Sequence, residues 1–284
     1  MSEQYGLDFS INSSVISPDD TTLFTTSGMQ HFKPMYSNVS YKNTFTNIQK
    51  CLRLNDWKEI GDGTHYLNFE MIGFFSFREW SLKSTINFMW EFLKRINITP
   101  DYVTIHPDKY LDWRHLYDEY NVEIRMDSEC IWSNGSIGGY CTEFYKDDVE
   151  IGNIVNTLDT CIDVGFGLER LLQISNSLKS KTKLEILEDT AFTLIDSGIV
   201  IGHYKEQFIL KKIIIECVQI GSEQTHEYFM TVKKNQSNNY KNYLRNKDKL
   251  KYKNKEKDFW LNTFGIDVDK IEVYEKIYNE IESL

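Results

Sequence analysis

Two stretches of the sequence combine glycine, arginine, aromatic and acidic residues in an order that could bind a nucleotide. In the first, CIDVGFGLERLLQI (161–174), a short apolar strand runs through Gly165 and Gly167 into an apolar helix that opens with Glu169 and Arg170. Glycine leaves room for a flat ligand to approach the backbone. The planar guanidinium of Arg170 can stack on an aromatic base or bind phosphate oxygens. Taken alone, a Gly-x-Gly turn between a strand and a helix is only a weak indication of such a site.

The second stretch, QKCLRLNDWKEIGDGTHYLNFEMIGFFSF (49–77), reads as a strand, a polar loop and a returning strand. We expect Arg53, near the end of the first strand, to meet Phe69 and Glu70 across this hairpin. An arginine, an aromatic ring and a carboxylate on one sheet face suit an adenine nucleotide, because they supply a charge for the α-phosphate, a stacking surface and an acceptor for an amino group. A sheet face with an incidental ion pair is the alternative.

Other enzyme classes lack their usual motifs in this sequence. It contains no HExxH, no histidine pair spaced for a metal, no GxSxG and no GxxxxGK[ST], so metalloprotease, esterase-type and P-loop patterns are excluded. The five cysteines are odd in number and form no CxxC pair, so we expect reduced core thiols and no structural zinc. They are Cys51, Cys130, Cys141, Cys161 and Cys217.

Strands must position these residues in the first half of the chain, where β-branched and aromatic runs are bounded by Gly, Asp or Asn. The predicted strands are TTLFTT (21–26), LNFEMIGFF (67–75), DYVTIH (101–106), VEIRM (122–126), CTEFYKD (141–147), VEIGNIVNT (149–157) and CIDVGF (161–166). Apolar residues from Ile86 to Ile96 recur at spacings of three and four, with Ser84 as the expected cap, and predict an amphipathic helix on the sheet. The pattern indicates an α+β fold around a mainly antiparallel sheet with flanking helices.

The pattern becomes helical after about residue 175. Helices are predicted for EILEDTAFTLIDSG (185–198), for YKEQFILKKIIIECVQIG (204–221) and for the apolar residues spaced between Ile271 and Leu284. We therefore expect two domains, a sheet domain over 1–176 and a smaller helical domain over 177–284.

Composition and charge describe a globular chain with one unusual segment. The 284 residues are 41% hydrophobic, no apolar run approaches a membrane span and no basic, apolar leader opens the chain, so we expect a cytoplasmic protein without a membrane partner. The net charge of −10 argues against nucleic acid binding over the whole surface. Residues 233–258, however, hold ten Lys or Arg against three Asp or Glu, a local +7 on a body of −17. This segment is either a solvated Lys/Asn-rich connection or a docking surface for an anionic partner.

Together these stretches resemble the catalytic domain of the alanyl-tRNA synthetases, a class II aminoacyl-tRNA synthetase family. The matching blocks follow in order from about Ser10 to Ile174, and a fainter similarity continues to about Gly221. The blocks are SSVISPDDTTLFTTSGMQHFK (13–33), QKCLRL (49–54) as motif 2, FEMIGFFSF (69–77) as its return strand, IWSNGSIGGYCTEFYKD (131–147), EIGNIVN (150–156) and IDVGFGLERLL (162–172) as motif 3.

The resemblance implies a fold, a reaction and a set of site residues. Residues 1–176 become a class II adenylation domain, in which ATP and a small amino acid form an aminoacyl-adenylate without a protein nucleophile. The resemblance implies ATP binding by Arg53, Phe69, Glu70, Gly165, Gly167 and Arg170, with both arginines as catalytic groups. It implies amino-acid binding by Trp132, Asn153 and Asp163, whose carboxylate pairs with the substrate ammonium. It implies that Glu150 holds Mg²⁺ with the phosphates.

The sequence departs from the family pattern in several places. The motif 1 helix is largely missing, the motif 2 loop is shorter, and GSIGGYCTE (135–143) replaces a Pro-rich turn beside the amino-acid pocket. The printed sequence has no counterpart of the family's editing or C-terminal domains, so we expect a stand-alone, truncated form.

The acceptor of the aminoacyl group stays open between several alternatives. By resemblance it is tRNA, which makes the chain alanine-tRNA ligase-like. A paralogue that charges an acidic carrier protein, a peptide or a small molecule is the second alternative, and a non-catalytic regulatory paralogue is the third. The oligomeric state is also open, with a homodimer among the options.

Overall fold

The computed structural model describes residues 1–134, 137–199, 201–221 and 223–247, together with residues 259, 260, 268, 271, 272, 275, 278 and 279. The chain divides into two units, Met1–Ser180 and Lys181–Leu284. The division falls close to the predicted boundary at residue 176.

Strands of the first unit form one mixed sheet, which has nine strands within the described residues. They are β1 (Asp8–Asn12), β2 (Asn43–Leu52), β3 (Asn68–Phe77), β4 (Tyr102–Ile105), β5 (Glu123–Met126), β6 (Ile131–Asn134), β7 (Ile137–Lys146), β8 (Val149–Thr157) and β9 (Cys161–Gly167). Their order is β1-β2-β3-β9-β8-β7-β4-β5, with β6 paired to β7. Only the outer pairs β1–β2 and β4–β5 are parallel. The predicted α+β fold around a mainly antiparallel sheet is confirmed.

The helices lie between and after these strands. They are α1 (Lys33–Ser37), α2 (Leu82–Arg95), α3 (Pro107–Trp113), α4 (Leu168–Ile174), α5 (Lys183–Asp196), α6 (Lys205–Ile220) and α7 (Glu223–Asn246). None of the helices in the described part of the chain combines the length and the apolar character that crossing a bilayer requires.

Helix α2 covers one face of the central strands, as its apolar spacing predicts. Ile86, Met89 and Leu93 are buried in a core with Phe74 of β3 and Val164 of β9. Burying an aliphatic side chain of this size contributes about 1.5–3 kcal/mol. The opposite face of the same strands carries the glycine and polar residues of a cleft, next to a second buried cluster that includes Phe75 and Phe77.

Two details of the predicted elements are wrong. The N-cap of α2 is Ser81, whose hydroxyl accepts the N–H of Ser84, so the helix begins one turn before the expected cap. Residues 21–26 form no strand, and only an isolated bridge joins Phe24 to Ile16. The hydroxyl of Thr22 donates to the carbonyl of Phe24, and such local bonds compete with strand pairing.

In the second unit, the predicted helices over 185–198 and 204–221 are confirmed as α5 and α6. A capping box between Thr182 and Glu185 begins α5. Helix α7 was not predicted, and it includes the part of the basic segment up to Asn246. Its buried residues recur at helical spacing at Lys233, Ser237 and Tyr240, so this part is not a solvated connection. Residues 248–258, and most of the helix predicted after Ile271, lie outside the described residues.

Candidate active site

Strand alternation creates the floor of the site on the sheet face opposite α2. Gly73, Gly165 and Asn153 lie side by side in register across β3, β9 and β8. Phe74 follows Gly73 and Val164 precedes Gly165. Both side chains point into the core. A period of two therefore gives these strands one apolar face and one face that carries glycine and polar groups at the cleft and the buried rings of Phe75 and Phe77 beyond it.

A cleft of about 480 Å³ opens on this face. Nine of the ten site residues inferred from the sequence line it, although they come from five different strands or strand ends and from helix α4. They are Arg53, Phe69, Trp132, Glu150, Asn153, Asp163, Gly165, Gly167 and Arg170.

Glu70 is the exception, because its side chain does not line the cleft. It lies between Phe69 and Met71, which both do, and side chains alternate along a strand. Its backbone N–H instead donates to both carboxylate oxygens of Glu169, each at 3.0 Å. Glu70 therefore joins β3 to the start of α4, and the expected contact of its carboxylate with the nucleotide is not supported.

Arg53 and Phe69 meet across the β2–β3 hairpin, as expected. The Arg53 guanidinium lies over the Phe69 ring, 5.3 Å from its centroid. Arg53 Nε donates to the backbone carbonyl of Thr26 at 2.8 Å, which fixes the direction of the side chain. The other guanidinium nitrogens carry the positive charge beside an aromatic surface on the cleft wall.

A second arginine, Arg170, lies in motif 3. Arg170 Nη1 donates to the backbone carbonyl of Glu150 at 2.8 Å and lies 3.5 Å from Glu150 Oε2. Asn153 Nδ2 donates to Glu150 Oε1 at 3.4 Å. Helix α4 and strand β8 thus bring a cation, a carboxylate and an amide together on the cleft.

Asp163 is a carboxylate on the cleft floor that is only 9% exposed. Burial raises the pKa of Asp163 to about 7, while the positive charge of Arg53 acts in the opposite direction. Among the described residues, no cation forms an ion pair with it, which leaves the carboxylate with an unmet electrostatic demand. A cationic ligand group would meet that demand.

The two motif 3 glycines matter for space and not for unusual backbone angles. Neither has a positive φ. A Cβ on Gly165 would lie 3.1 Å from Met71 Sδ, and one on Gly167 would lie 3.6 Å from Arg170 Cδ. Side chains at these positions would occupy the volume of the cleft, as the sequence predicts.

Comparison with known proteins adds a family to this geometry. The model of the family described as tRNA synthetases class II (A) matches residues 8–188, more than half of the chain. The chain belongs to this class II synthetase family. The resemblance to the alanyl-tRNA synthetases is also confirmed by curated relatives.

Two of those relatives are alanine–tRNA ligases. The protein from Prochlorococcus marinus is 28% identical over 71% of this class II chain, and that from Francisella tularensis subsp. novicida is 31% identical over 66%. The chain spans 27% of the length of each relative. A solved pyrrolysyl tRNA synthetase from Desulfitobacterium hafniense matches with 14% identity and a TM-score of 0.39, over 59% of this chain and 55% of its own.

Several residues that line the cleft of this class II synthetase were not inferred from the sequence. Met71 and Val155 lie two residues after Phe69 and Asn153, so strand alternation could have found them. Thr26 and Ser27 carry no such signal, because a loop far from Arg53 in sequence brings them to the cleft.

The residues at Glu150 fit a magnesium ion. Mg²⁺ is usually bound by one or two carboxylates together with phosphate oxygens and water. The contacts that Glu150 makes to Arg170 and Asn153 are long, 3.5 and 3.4 Å, so its oxygens can accept a further partner. Glu169 also lines the cleft, but its carboxylate accepts the Glu70 N–H.

Proposed function

We propose that the chain activates alanine, or another small amino acid, with ATP to form an aminoacyl-adenylate, and transfers the aminoacyl group to an acceptor. The observation that carries this proposal is the convergence of Arg53, Phe69, Arg170 and Asp163 on one cleft. Family membership supports the same reaction class.

The proposed chemistry needs positioned charges and no protein nucleophile. A carboxylate oxygen of the amino acid attacks the α-phosphorus, a phosphorus–oxygen bond forms, and pyrophosphate leaves with the electron pair of the broken bond. Negative charge grows on the phosphate oxygens during this step, and preorganised cations lower its cost. Arg53 is the group that supplies this charge at the α-phosphate, and Arg170 supplies it on the other side of the nucleotide.

Binding of the two substrates divides along the cleft. Phe69, with Arg53 against it, offers the adenine a stacking surface. Asp163 receives the ammonium group of the amino acid, since its buried carboxylate has no cationic partner among the described residues. Trp132 and Asn153 line the same cleft and border the amino acid in this proposal.

Glu150 would hold Mg²⁺ together with the phosphate oxygens. The ion, when bound, supplies further neutralisation of phosphate charge. Asn153 orients the Glu150 carboxylate through its amide, and Arg170 limits its repulsion of the nucleotide.

The acceptor that we propose by default is tRNA, because the curated relatives are named as alanine–tRNA ligases. An acidic carrier protein is the second candidate. The observation that favours it is the net charge of −10, which argues against a surface that binds nucleic acid extensively.

ATP–pyrophosphate exchange, screened over the proteinogenic amino acids with the purified chain, tests the activation step. We expect exchange with alanine or another small amino acid and none without amino acid. Labelled amino acid is then offered with bulk tRNA and, separately, with acidic carrier proteins. Label in the tRNA fraction supports the default, and label in the protein fraction supports the second acceptor.

A pair of variants and one contradicting outcome complete this experiment. Phe69→Ala should raise the KM for ATP, whereas Phe9→Ala, which removes an exposed ring outside the cleft, should leave it unchanged. A folded chain that binds ATP but exchanges no pyrophosphate with any amino acid would identify a non-catalytic paralogue and contradict the proposal.

A further inference from the structure

We propose that Cys130, Cys141 and Glu143 form a binding site for a zinc-like divalent cation beneath the wall of the cleft. One ligand atom from each residue lies within 4.8 Å of the other two. Thiolate sulfur and carboxylate oxygen are both ligands that Zn²⁺ accepts. This proposal does not depend on the proposed function.

The distance between Cys141 and Glu143 suits tetrahedral coordination as it stands. Bond lengths of about 2.3 Å to sulfur and about 2.1 Å to oxygen place two ligands about 3.6 Å apart around one zinc ion. Cys141 Sγ lies 3.6 Å from a Glu143 carboxylate oxygen. The hydroxyl of Thr104, 2.8 Å from Cys130 Sγ and 3.4 Å from Glu143 Oε2, borders the same space. A water molecule would supply the fourth ligand.

The fold brings Cys130 to Cys141 and Glu143 through the pairing of β6 with β7. Cys130 immediately precedes β6, and its carbonyl accepts the N–H of Cys141 at 3.0 Å, so the two cysteines lie opposite each other at the end of the β6–β7 pair. Glu143 is two residues further along β7 and faces the same side of the sheet. The expectation of no structural zinc rested on the absence of CxxC spacing, which this cross-strand arrangement does not need.

The carboxylate distinguishes a metal site from an ordinary pair of core thiols. Glu143 Oε2 accepts the hydroxyls of Tyr145 at 3.0 Å and Thr104, and Oε1 faces the Cys141 thiol. All three are neutral, and no described Lys, Arg or His forms an ion pair with Glu143. A carboxylate placed between two buried thiols with only neutral donors is costly, and a divalent cation would offset that cost.

Occupancy would affect the cleft through Trp132. This side chain packs on the cluster of Cys130, Cys141 and Val155, and it also lines the cleft. A metal ion bound below it would fix the β6–β7 pair and so the position of the indole. The three ligands are therefore positioning residues for the wall of the amino-acid end, and they do not touch the reacting atoms.

Metal analysis of the full chain tests the site directly. We expect about one zinc per chain after purification in reducing buffer without chelator. Metal-free protein titrated with Co²⁺ should develop a thiolate-to-metal charge-transfer band that saturates at one equivalent and disappears on addition of Zn²⁺. Because the ion binds only the folded state, added Zn²⁺ should also raise the thermal midpoint.

Variants connect the signal to the three residues. Cys141→Ser should abolish the charge-transfer band, and Glu143→Gln, which keeps the side chain's shape, should weaken Co²⁺ binding more than about 100-fold, since loss of groups that merely support ligands already costs 10–100-fold. Cys217→Ser and Glu123→Gln are the matched controls, and both should keep wild-type affinity. Glu143→Gln decides the matter if Cys141→Ser does not fold.

Two results would overturn the proposal. One is a folded, reduced chain that takes up no metal at micromolar Zn²⁺ or Co²⁺. The other is Co²⁺ binding that a folded Glu143→Gln chain keeps at wild-type affinity, because it would assign the thiols to something other than a three-ligand site.

Discussion

Arg53 and Asp163, which carry opposite charges when ionised, have different surroundings in the cleft. Arg53 is fixed by a backbone carbonyl and an aromatic ring, whereas Asp163 is buried on the floor. An arginine keeps its charge in such a place, but a buried carboxylate gives it up more readily. The proposed function uses this difference, with an anion beside Arg53 and a cation beside Asp163.

Replacement of Arg53 by alanine tests the first half of that arrangement. Because the guanidinium is proposed to neutralise charge that develops on the α-phosphate, Arg53→Ala should lower ATP–pyrophosphate exchange about 10²- to 10³-fold. Arg114→Ala removes an exposed arginine outside the cleft and should keep wild-type exchange. A folded Arg53→Ala chain with undiminished exchange would remove Arg53 from the mechanism.

Asp163 gives a prediction on the pH dependence of stability. Its pKa is raised from 3.8 to about 7 in the folded chain, so between these values the folded state keeps a proton that the unfolded state loses. The contribution of Asp163 protonation to the free energy of unfolding is fully present below about pH 4 and is lost as the pH rises through 7. Asp163→Asn stays neutral, so its thermal midpoint relative to the wild type should increase between pH 5 and pH 8. A constant difference across this range would contradict the raised pKa.

The same residue should separate the two substrates. If Asp163 receives the ammonium group, Asp163→Asn should raise the KM for the amino acid much more than the KM for ATP. In the wild-type chain, the KM for the amino acid should fall as the pH rises through about 7, because only the ionised carboxylate pairs with the ammonium. Equal losses for both substrates would assign Asp163 a structural role.

At the scale of elements, the strands and helices that obey a simple period could be predicted from the sequence, and others could not. Strands β3, β8 and β9 and helix α2 follow from periods of two and 3.6. Residues 21–26 have strand-like composition, yet threonine hydroxyls bond local carbonyls there. Helix α7 could not be recognised from its spacing, because its sequence is mostly polar and basic and has few apolar positions. Competing local bonds and weak amphipathicity are thus the physical reasons for these failures.

The cleft itself shows the same limit. Arg53 and Phe69 could be placed together because a hairpin joins them. Thr26 reaches Arg53 only through the tertiary fold, and Cys130 reaches Glu143 only through the pairing of β6 with β7. Glu70 was assigned to the cleft although strand alternation places it on the other face.

Two glycines on adjacent strands should respond differently to the same substitution. A Cβ at Gly73 would lie 2.3 Å from Asn47 Oδ1 and 2.6 Å from the Phe75 ring, so Gly73→Ala should destabilise the fold by about 1–3 kcal/mol. At Gly165 the nearest atom is the flexible Met71 Sδ, at 3.1 Å. Gly165→Ala should therefore retain most stability but weaken ATP–pyrophosphate exchange.

Denaturant unfolding and exchange assays on both variants check this contrast. The structure would be contradicted by a Gly73→Ala chain as stable as the wild type. The assignment of Gly165 to the ligand space would be contradicted by full exchange in a folded Gly165→Ala chain.

At the scale of the whole molecule, charge is distributed unevenly along the chain. The segment 233–258 carries +7 and the remainder −17. Lys233 is buried on α7, whereas Lys234, Arg245 and Lys247 of the same segment are exposed to a partner. An anionic acceptor would be attracted to this segment and repelled by the rest of the surface.

Neutralising the end of the basic segment tests whether it docks the acceptor. The variant replaces Lys249, Lys251, Lys253 and Lys255 with Gln. Aminoacyl transfer should be impaired, while ATP–pyrophosphate exchange should stay intact because the residues proposed for adenylate formation all lie in Met1–Ser180.

If the acceptor is a nucleic acid, each lost phosphate contact should reduce the salt slope of transfer by about 0.7–0.9, or about three for the variant. An equal reduction in charge at Lys42, Lys94, Lys179 and Lys205, all exposed elsewhere, is the control and should leave the slope unchanged. Transfer with the same rate and salt slope in both quadruple variants would show that this segment does not bind the acceptor, since a docking surface of several cations cannot lose four of them without releasing fewer counterions.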